Sequence, residues 1–237
     1  MIRSLRRLRG SASVRRRSAL SNPTAAYPKG IRTPFERAFS VSEVTPLRVT
    51  GGTLGGRRLR VPKRGVRPTT DRVRESLFAI LGDLSDARVL DLYAGTGALG
   101  IEALSRGAES VVFIEKALPS LEALRRNLSD RAREPRSRVL RGDVLRGLRR
   151  LAGEGARFDL VLADPPYEAP VEDLLVALAG SGLLAPGGTL VLERGRGQTV
   201  AAVDGLGLVE HREYGDTVMS RFEASASGGC ADETWDT

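Results

Sequence analysis

Four consecutive residues, Asp164-Pro165-Pro166-Tyr167, offer the most specific chemistry in the sequence. An exocyclic amine on a nucleobase is a poor nucleophile because its lone pair is delocalised into the ring, so a catalyst must aim acceptors at its N–H groups. Asp164 can supply a carboxylate oxygen and Pro165 a backbone carbonyl, and the Pro-Pro pair restricts the backbone that holds them. Tyr167 can stack on an unpaired or flipped-out base. The tetrapeptide therefore predicts attack of a base amine on a methyl group.

A glycine-rich run at residues 95–100, GTGALG, has the G-x-G-x-x-G spacing of nucleotide-binding loops, which fits NAD and S-adenosylmethionine alike. Asp91 favours S-adenosylmethionine, because a carboxylate faces the cationic amine of that ligand better than the pyrophosphate of NAD. Glu115 follows the glycines by about twenty residues, where an acidic side chain can accept both hydroxyls of a ribose. Gly100 is predicted to allow close helix packing rather than to contact the ligand.

Strands and helices alternate beyond Asp86 and position these residues. Short apolar strands between amphipathic helices favour a parallel sheet that is covered on both faces. Ligands in such open sheets lie beyond the carboxyl ends of the strands. Three motifs follow strand ends and are therefore expected to meet in one crevice: DLYAGTGALG after the first strand, IEK after the second and ADPPY after the fourth. The last two strands are joined by a tight turn and must be antiparallel. The predicted strands are Arg88–Leu92, Ser110–Glu115, Arg138–Arg141, Phe158–Ala163, Gly188–Glu193, Leu208–Tyr214 and Thr217–Glu223, and the predicted helices span 98–106, 117–129, 143–151 and 171–179.

The residues before this alternating pattern fall into two parts. Two strand-like runs, Leu47–Thr50 and Arg57–Val61, flank four glycines and predict a hairpin with a glycine-rich connection. A helix is expected to follow Pro68, with Thr69 or Thr70 as its cap. Residues 1–45 are rich in Arg and Ser and lack an apolar period, which predicts disorder. They are an RNA-binding arm, an organelle transit peptide, or sequence added by an upstream start codon.

Charge is distributed unevenly along the chain. Residues 1–75 carry 17 Arg and 2 Lys against 4 acidic residues, a net charge of +15, whereas the whole chain has a net charge of +8. Concentrated arginine favours contact with phosphates, so we expect nucleic acid as a partner. A solvated face is the alternative for the arginines beside the crevice. The predicted RNA-contacting residues are Arg57, Arg58, Arg60, Arg67, Arg72 and Arg74, and the last three are expected to stay on the polar side of the helix that follows the hairpin.

Several classes of protein are not expected from the composition. Cys230 and His211 are the only cysteine and the only histidine, which argues against a disulfide framework and a zinc site. No apolar run approaches the roughly 18 residues of a membrane-spanning helix, and the amino terminus lacks the apolar core of a secretory signal. We therefore expect a cytoplasmic monomer that needs neither metal nor membrane.

These motifs together resemble a known family. DLYAGTGALG with ADPPY resembles the class I S-adenosylmethionine-dependent amino-methyltransferases. Combined with RVTGGTLGGRRLRVP and RPTTDRVRESLF, they resemble the bacterial 16S rRNA guanine-N2 methyltransferases, the RsmD-like family, over about residues 47–223. The resemblance implies a Rossmann-like α/β fold with a seven-stranded, mostly parallel sheet, one antiparallel strand and a small N-terminal hairpin extension. It also implies methylation of a guanine in small-subunit rRNA, either as naked RNA or in the assembled small subunit.

The resemblance also assigns roles to residues of this chain. Asp91, Gly95 and Gly97 would line the methionine side of S-adenosylmethionine, Glu115 its ribose and Asp143 its adenine edge. Asp143 has a simpler alternative role as the N-cap of the helix that follows it. Asp164, Pro165 and Tyr167 would hold the target base. The expected organisation is a disordered extension at 1–45, the RNA-contacting hairpin and helix at 46–82, the methyltransferase domain at 83–224 and a disordered tail at 225–237.

Three other functions compete with this interpretation. Methyltransferases that act on adenine-N6 or cytosine-N4 in DNA use similar tetrapeptides, but this chain has little room for a domain that reads DNA sequence. An NAD-dependent oxidoreductase is supported by the glycine spacing alone. A non-catalytic ribosome-assembly binder would explain the charge but not the site motifs.

Overall fold

Seven strands form a single sheet in the part of the chain that the structure describes. The computed structural model describes residues 47–62, 71–129, 136–166 and 169–225, all of which belong to one unit. Residues 1–46, which include the predicted disordered extension, lie outside the described residues, as does the tail from residue 226. The strands are β1 (Arg88–Leu92), β2 (Ser110–Glu115), β3 (Ser137–Arg141), β4 (Phe158–Ala163), β5 (Leu184–Gly195), β6 (Leu206–Tyr214) and β7 (Thr217–Ala224).

The strand order is β3-β2-β1-β4-β5-β7-β6. β1 to β5 pair in parallel, and β7 pairs antiparallel with both β5 and β6, so one strand runs against the others. The expected Rossmann-like sheet with one antiparallel strand is confirmed. β2 and β3 lie on one side of β1, whereas β4 and β5 lie on its other side. The strand order therefore switches between β1 and β4, and open α/β sheets bind their ligands at such a switch point.

β5 is longer than the sequence indicates. The run Pro186-Gly187-Gly188 is typical of a turn, and the predicted strand therefore begins at Gly188. The structure begins β5 at Leu184, because a shift of register between Phe158 and Leu160 of the partner strand accommodates the extra residues. Gly187 there has a φ of 73°, a backbone conformation that glycine adopts without strain.

Helices cover both faces of the sheet because side chains alternate between the faces along each strand. Val89 and Phe113 pack with the first three helices, whereas Leu90 and Ile114 pack with the last two. None of the described helices is both long enough and apolar enough to cross a membrane. The helices are α1 (Asp71–Leu81), α2 (Ala98–Ser105), α3 (Leu118–Ser129), α4 (Val144–Gly153) and α5 (Val171–Ala179).

Residues 47–62, here called the basic segment, form a short paired loop. Arg48 and Arg58 make an antiparallel bridge, and a 3-10 turn, Gly52–Leu54, lies between them. The Val49 N–H donates to the Arg57 carbonyl at 2.9 Å. The two predicted strands are thus reduced to one bridge, because much of the backbone of this segment bonds to helices instead.

Glu102 of α2 is the main anchor of the basic segment. Its carboxylate is fully buried and accepts hydrogen bonds from the Thr50 N–H at 2.7 Å, the Thr50 hydroxyl at 2.7 Å and the Gly51 N–H at 2.9 Å. Arg106, one turn further along the chain, donates from Nε at 2.9 Å and compensates the buried charge. Ser105 adds a second anchor, since its hydroxyl accepts from the Leu54 N–H and donates to the Gly51 carbonyl.

Replacement of the Glu102 carboxylate by an amide tests this anchor. In Glu102→Gln one acceptor oxygen becomes an N–H₂ group that faces N–H donors, so we expect a loss of about 1 to 3 kcal/mol in the free energy of unfolding. Urea denaturation measures the loss. Glu122→Gln is the matched control, because Glu122 is exposed on α3 and its replacement is expected to change stability by less than about 0.5 kcal/mol. Equal stabilities of the two variants would contradict the anchoring role.

Candidate active site

The carboxyl ends of β1, β2 and β4 meet at one edge of the sheet. Leu92 at the end of β1 lies in register with Ile114 of β2 and with Ala163 of β4. Glu115 and Asp164 each come one residue later, so they flank the loop that leaves β1. The Asp164 N–H lies 3.5 Å from the Leu92 carbonyl oxygen. The three motifs of the predicted crevice are therefore neighbours.

The glycine loop after β1 combines an open side with a packed side. Gly95 and Gly97 have φ values of 54° and 80°, which favour glycine. A Cβ atom at Gly95 would have only the Tyr93 carbonyl oxygen within 4 Å, at 3.8 Å. A Cβ at Gly97 would lie 2.3 Å from Cδ1 of Leu124 on α3. Gly95 thus leaves space beside the loop, whereas Gly97 is required by packing against the core.

Asp91 is a buried carboxylic acid at the foot of this loop. It is 1% exposed and lies in register with Phe113 and Leu162, both apolar. Burial raises the pKa of Asp91 to about 7, the nearby negative charge of Glu115 adds to the shift, and a hydrogen bond from the Gly100 N–H at 2.9 Å opposes it. Asp91 therefore changes its charge near neutral pH.

Gly100 allows α2 to approach β1 and β2 closely. A Cβ at this position would lie 2.3 Å from Cε1 of Phe113 and 2.9 Å from Oδ2 of Asp91. The prediction that Gly100 serves helix packing is confirmed. Its N–H group, at the start of the helix, is also the hydrogen-bond donor to Asp91.

Glu115 closes the other side of the glycine loop. Its side chain is 8% exposed, and its Oε2 accepts the Gly95 N–H at 2.8 Å. Oε1 accepts the N–H groups of Lys116 at 2.8 Å and Ala117 at 2.6 Å. These backbone donors fix a carboxylate at the edge of the sheet, beside the loop that follows Asp91.

Asp143 acts as the N-cap of α4, the alternative that the sequence left open. Its Oδ1 accepts the Arg146 N–H at 3.2 Å, and the side chain is exposed. The Gly142 N–H donates to the Glu115 carbonyl oxygen at 3.0 Å, which brings this loop to the site. Burial raises the pKa of the half-buried Tyr93, and the negative charge of Asp143 adds to that shift.

Asp164 and Pro165 follow β4 at the same edge. Asp164 is partly exposed, Pro165 is buried and Pro166 is exposed. A partly exposed carboxylate on a buried proline scaffold can accept hydrogen bonds from a ligand in the crevice. Tyr167 lies outside the described residues, so its stacking role stays a prediction.

The predicted RNA-contacting arginines differ in how far their side chains are exposed to solvent. Arg58 and Arg60 are exposed on the basic segment, and Arg72 is exposed on α1. Arg57 is partly buried, and its Nη2 donates to the backbone carbonyl of Asn127 at 3.0 Å. Arg67 lies outside the described residues.

The prediction that Arg74 lies on the polar side of its helix is wrong. Its side chain is fully buried and donates from Nη2 to the Arg48 carbonyl and to the Asp71 carboxylate. Burial lowers the pKa of Arg74, and the negative charges of Asp71 and Glu102 oppose that shift. Arg74 thus joins α1 to the basic segment and is not available to a phosphate.

The anchoring roles of three buried polar residues were not predicted from the sequence: Glu102, Ser105 and Asn127. Each holds the basic segment against a helix, and each is at most 4% exposed. A signal was present in the sequence, because Asn127 falls three residues after Leu124 and six after Leu121, on the apolar stripe of its helix. A polar residue on an apolar stripe needs a buried partner, but the sequence does not identify it.

The packing role of Gly100 is tested by a single methyl group. In Gly100→Ala the added carbon would overlap the Phe113 ring, so we expect a loss of about 1 to 3 kcal/mol in the free energy of unfolding. Gly153→Ala is the matched control, since a Cβ there would have nothing within 4 Å. Thermal unfolding of both variants measures the difference, and a Gly100→Ala variant as stable as its control would contradict close packing.

The ionisation of Asp91 makes stability depend on pH. The raised pKa means that the folded protein keeps a proton that the unfolded chain releases between about pH 4 and pH 7, so this group's contribution to stability falls as pH rises through that range. Over this range the free energy of unfolding falls by on the order of 4 kcal/mol on account of Asp91. Asp91→Asn should therefore gain stability relative to the unmodified protein from pH 4 to pH 7.

Urea denaturation at a series of pH values measures this gain. Asp204→Asn, in an exposed turn, is the control and should follow the unmodified protein at every pH. Parallel pH curves for Asp91→Asn and the unmodified protein would show that Asp91 does not titrate in this range.

The family assignment agrees with this geometry. Residues 47–223 match the family model described as Conserved hypothetical protein 95, Cons_hypoth95. The chain is 38% identical over 150 residues to Ribosomal RNA small subunit methyltransferase D of Escherichia coli strain K12, covering 62% of this chain and 74% of that protein. It is 30% identical over 173 residues to the protein of the same name from Haemophilus influenzae, covering 71% of this chain and 89% of that protein.

Two solved structures share the fold. One is yhhF from Escherichia coli, with a TM-score of 0.67 and 30% identity over 77% of this chain and 99% of that chain. The other is a hypothetical protein from Thermus thermophilus, with a TM-score of 0.62 and 32% identity over 73% of this chain and 97% of that chain. The resemblance to the RsmD-like family is confirmed, and the chain belongs to the Cons_hypoth95 family.

Proposed function

We propose that this protein transfers a methyl group from S-adenosylmethionine to the exocyclic N2 amine of a guanine in small-subunit rRNA. The observation that carries the proposal is the position of Asp164-Pro165 beside the glycine loop, where Asp91 and Glu115 also lie. Relatives named Ribosomal RNA small subunit methyltransferase D support rRNA as the substrate class.

The crevice suits S-adenosylmethionine in charge and in space. The ligand carries a cationic amine and a cationic sulfur, which a carboxylate at Asp91 attracts. Gly95 leaves room beside the loop, and the Glu115 carboxylate is fixed where ribose hydroxyls would donate to it. Gly97 shapes the loop through its packing on α3, and Asp143 would lie at the adenine edge. When bound, the ligand supplies a methyl group that its sulfonium activates.

Asp164 and Pro165 would prepare the amine for attack. The Asp164 carboxylate and the Pro165 carbonyl are acceptors for the two N–H groups, and accepting both favours tetrahedral nitrogen and a localised lone pair. The Asp164 carboxylate would stabilise the positive charge that the nitrogen gains as the new N–C bond forms and the methyl–sulfur bond breaks. S-adenosylhomocysteine would be the leaving group, and the methylated nitrogen would then lose one N–H proton to water. Tyr167 is proposed to stack on the base and hold its plane.

The basic segment is the proposed platform for the RNA. Arg58 and Arg60 are exposed on it, and Arg72 on α1 is exposed as well. The anchors on α2 and α3 hold this segment beside the helices that follow the glycine loop and β2. Phosphate contacts from these arginines would position the RNA, while the crevice selects the base.

The test of this function identifies the product. The purified protein, S-adenosylmethionine with a labelled methyl group, and small ribosomal subunits whose rRNA lacks base methylation are combined, and nucleosides are separated by mass spectrometry. We expect N2-methylguanosine. Asp164→Ala should bind S-adenosylmethionine normally in calorimetry but lose at least about 100-fold in methyl transfer.

Asp159→Ala is the matched control, because Asp159 lies near the start of β4, the strand that Asp164 follows, and accepts the Arg88 N–H there. It should retain turnover. Unchanged turnover in Asp164→Ala would overturn the role of that residue. Preferential methylation of duplex DNA amines, binding of NADH without S-adenosylmethionine, or S-adenosylmethionine binding without any rRNA product would each overturn the proposed reaction.

A further inference from the structure

Asn127 is a buried amide in the last turn of α3 whose polar atoms join two separate loops. It is 4% exposed. Its Oδ1 accepts the Arg60 N–H at 2.7 Å, and its Nδ2 donates to the Arg60 carbonyl at 3.0 Å and to the Thr96 carbonyl at 2.9 Å. One donor and two acceptors around the amide define its orientation.

The two loops joined by Asn127 have different proposed partners. Arg60 belongs to the basic segment, and its side chain is exposed where RNA would lie. Thr96 is 4% exposed and lies between Gly95 and Gly97 in the glycine loop. Within the described part of the chain, the other two anchors, Glu102 and Ser105, bond to the basic segment and not to the glycine loop. Asn127 is therefore a direct polar link between the two loops.

The Thr96 carbonyl that Asn127 holds lies between the two glycines of the loop, whose N–H groups are bonded on either side of it. Gly95 is open on one side, and its N–H is held by Glu115. The Gly97 N–H donates to the Ala94 carbonyl at 2.7 Å. A displacement of the Thr96 carbonyl would move both glycines. Ordering of Arg60 by RNA would in turn restrict Asn127 and hold that carbonyl in place.

We propose that Asn127 is a positioning residue that couples RNA binding on the basic segment to cofactor binding at the glycine loop. The inference rests on the proposed function, since it takes RNA and S-adenosylmethionine as the two ligands. Coupling of this kind is reciprocal, so RNA raises cofactor affinity by the same factor by which the cofactor raises RNA affinity. Enzyme that holds both ligands is thereby favoured over enzyme that holds one.

The coupling factor is measured with the full chain by equilibrium dialysis of radiolabelled S-adenosylhomocysteine, without RNA and with saturating small ribosomal subunits whose rRNA lacks base methylation. In the unmodified protein we expect RNA to lower the Kd of S-adenosylhomocysteine by about fivefold or more. In Asn127→Ala the two Kd values should agree within about twofold. Saturating RNA makes this ratio independent of any loss in RNA affinity, which a merely structural role would cause.

Two further variants complete the experiment. Asn127→Asp keeps the size of the side chain and an acceptor for the Arg60 N–H but loses the donor to the Arg60 and Thr96 carbonyls, so it should also lose the coupling. It replaces the alanine variant if that one fails to fold in a thermal unfolding scan. Ser105→Ala removes an anchor of the same segment without touching the glycine loop, so it should bind RNA more weakly yet keep the coupling factor.

The outcomes separate this inference from the proposed function. An unmodified protein that binds no S-adenosylhomocysteine or no small ribosomal subunit would overturn the proposed function and this inference with it. An unmodified protein that binds both ligands independently would overturn the inference alone. Full coupling in Asn127→Asp, or equal loss of coupling in Ser105→Ala, would also overturn it.

Discussion

The close contact between α2 and β1 is the constraint on which the candidate site depends. Gly100 has no side chain, so its N–H reaches the buried carboxyl of Asp91 and the helix begins directly against the strand. This contact sets the course of the glycine loop between the two elements. It also fixes α2, whose Glu102 and Ser105 then face the basic segment. One close approach thus positions both the loop and the segment beside it.

Much of the fold and part of the site follow from local features of the sequence. Short apolar runs define the strands, and polar residues at the ends of those runs, such as Asp91, Glu115 and Asp164, are neighbours because parallel strands end at one edge. The role of Gly100 follows from its place in the first turn of a helix that packs on the sheet. These inferences succeed because each depends on a pattern within one element or on the rule that parallel strands end at one edge, and none requires a particular distant partner.

The remaining features depend on partners that lie far apart in the chain. Arg74 looks like a surface residue by its charge, yet it is buried by the basic segment, whose Arg48 carbonyl lies 26 residues earlier. Asn127 bonds to Arg60 across 67 residues and to Thr96 across 31. Periodicity places such residues on a buried face but does not select their partners. The early start of β5 at Leu184 is similar, since it depends on the shift of register with β4.

Glu102 and Asn127 both hold the basic segment chiefly by its backbone. They bond to the N–H groups of Thr50, Gly51 and Arg60 and to the Arg60 carbonyl, atoms that every residue except proline possesses. The Arg58 and Arg60 side chains can therefore be exchanged without loss of these anchors. The attachment of the segment to the scaffold is thus largely separate from the surface it presents, so a substitution of Arg58 or Arg60 would change that surface and leave the attachment in place.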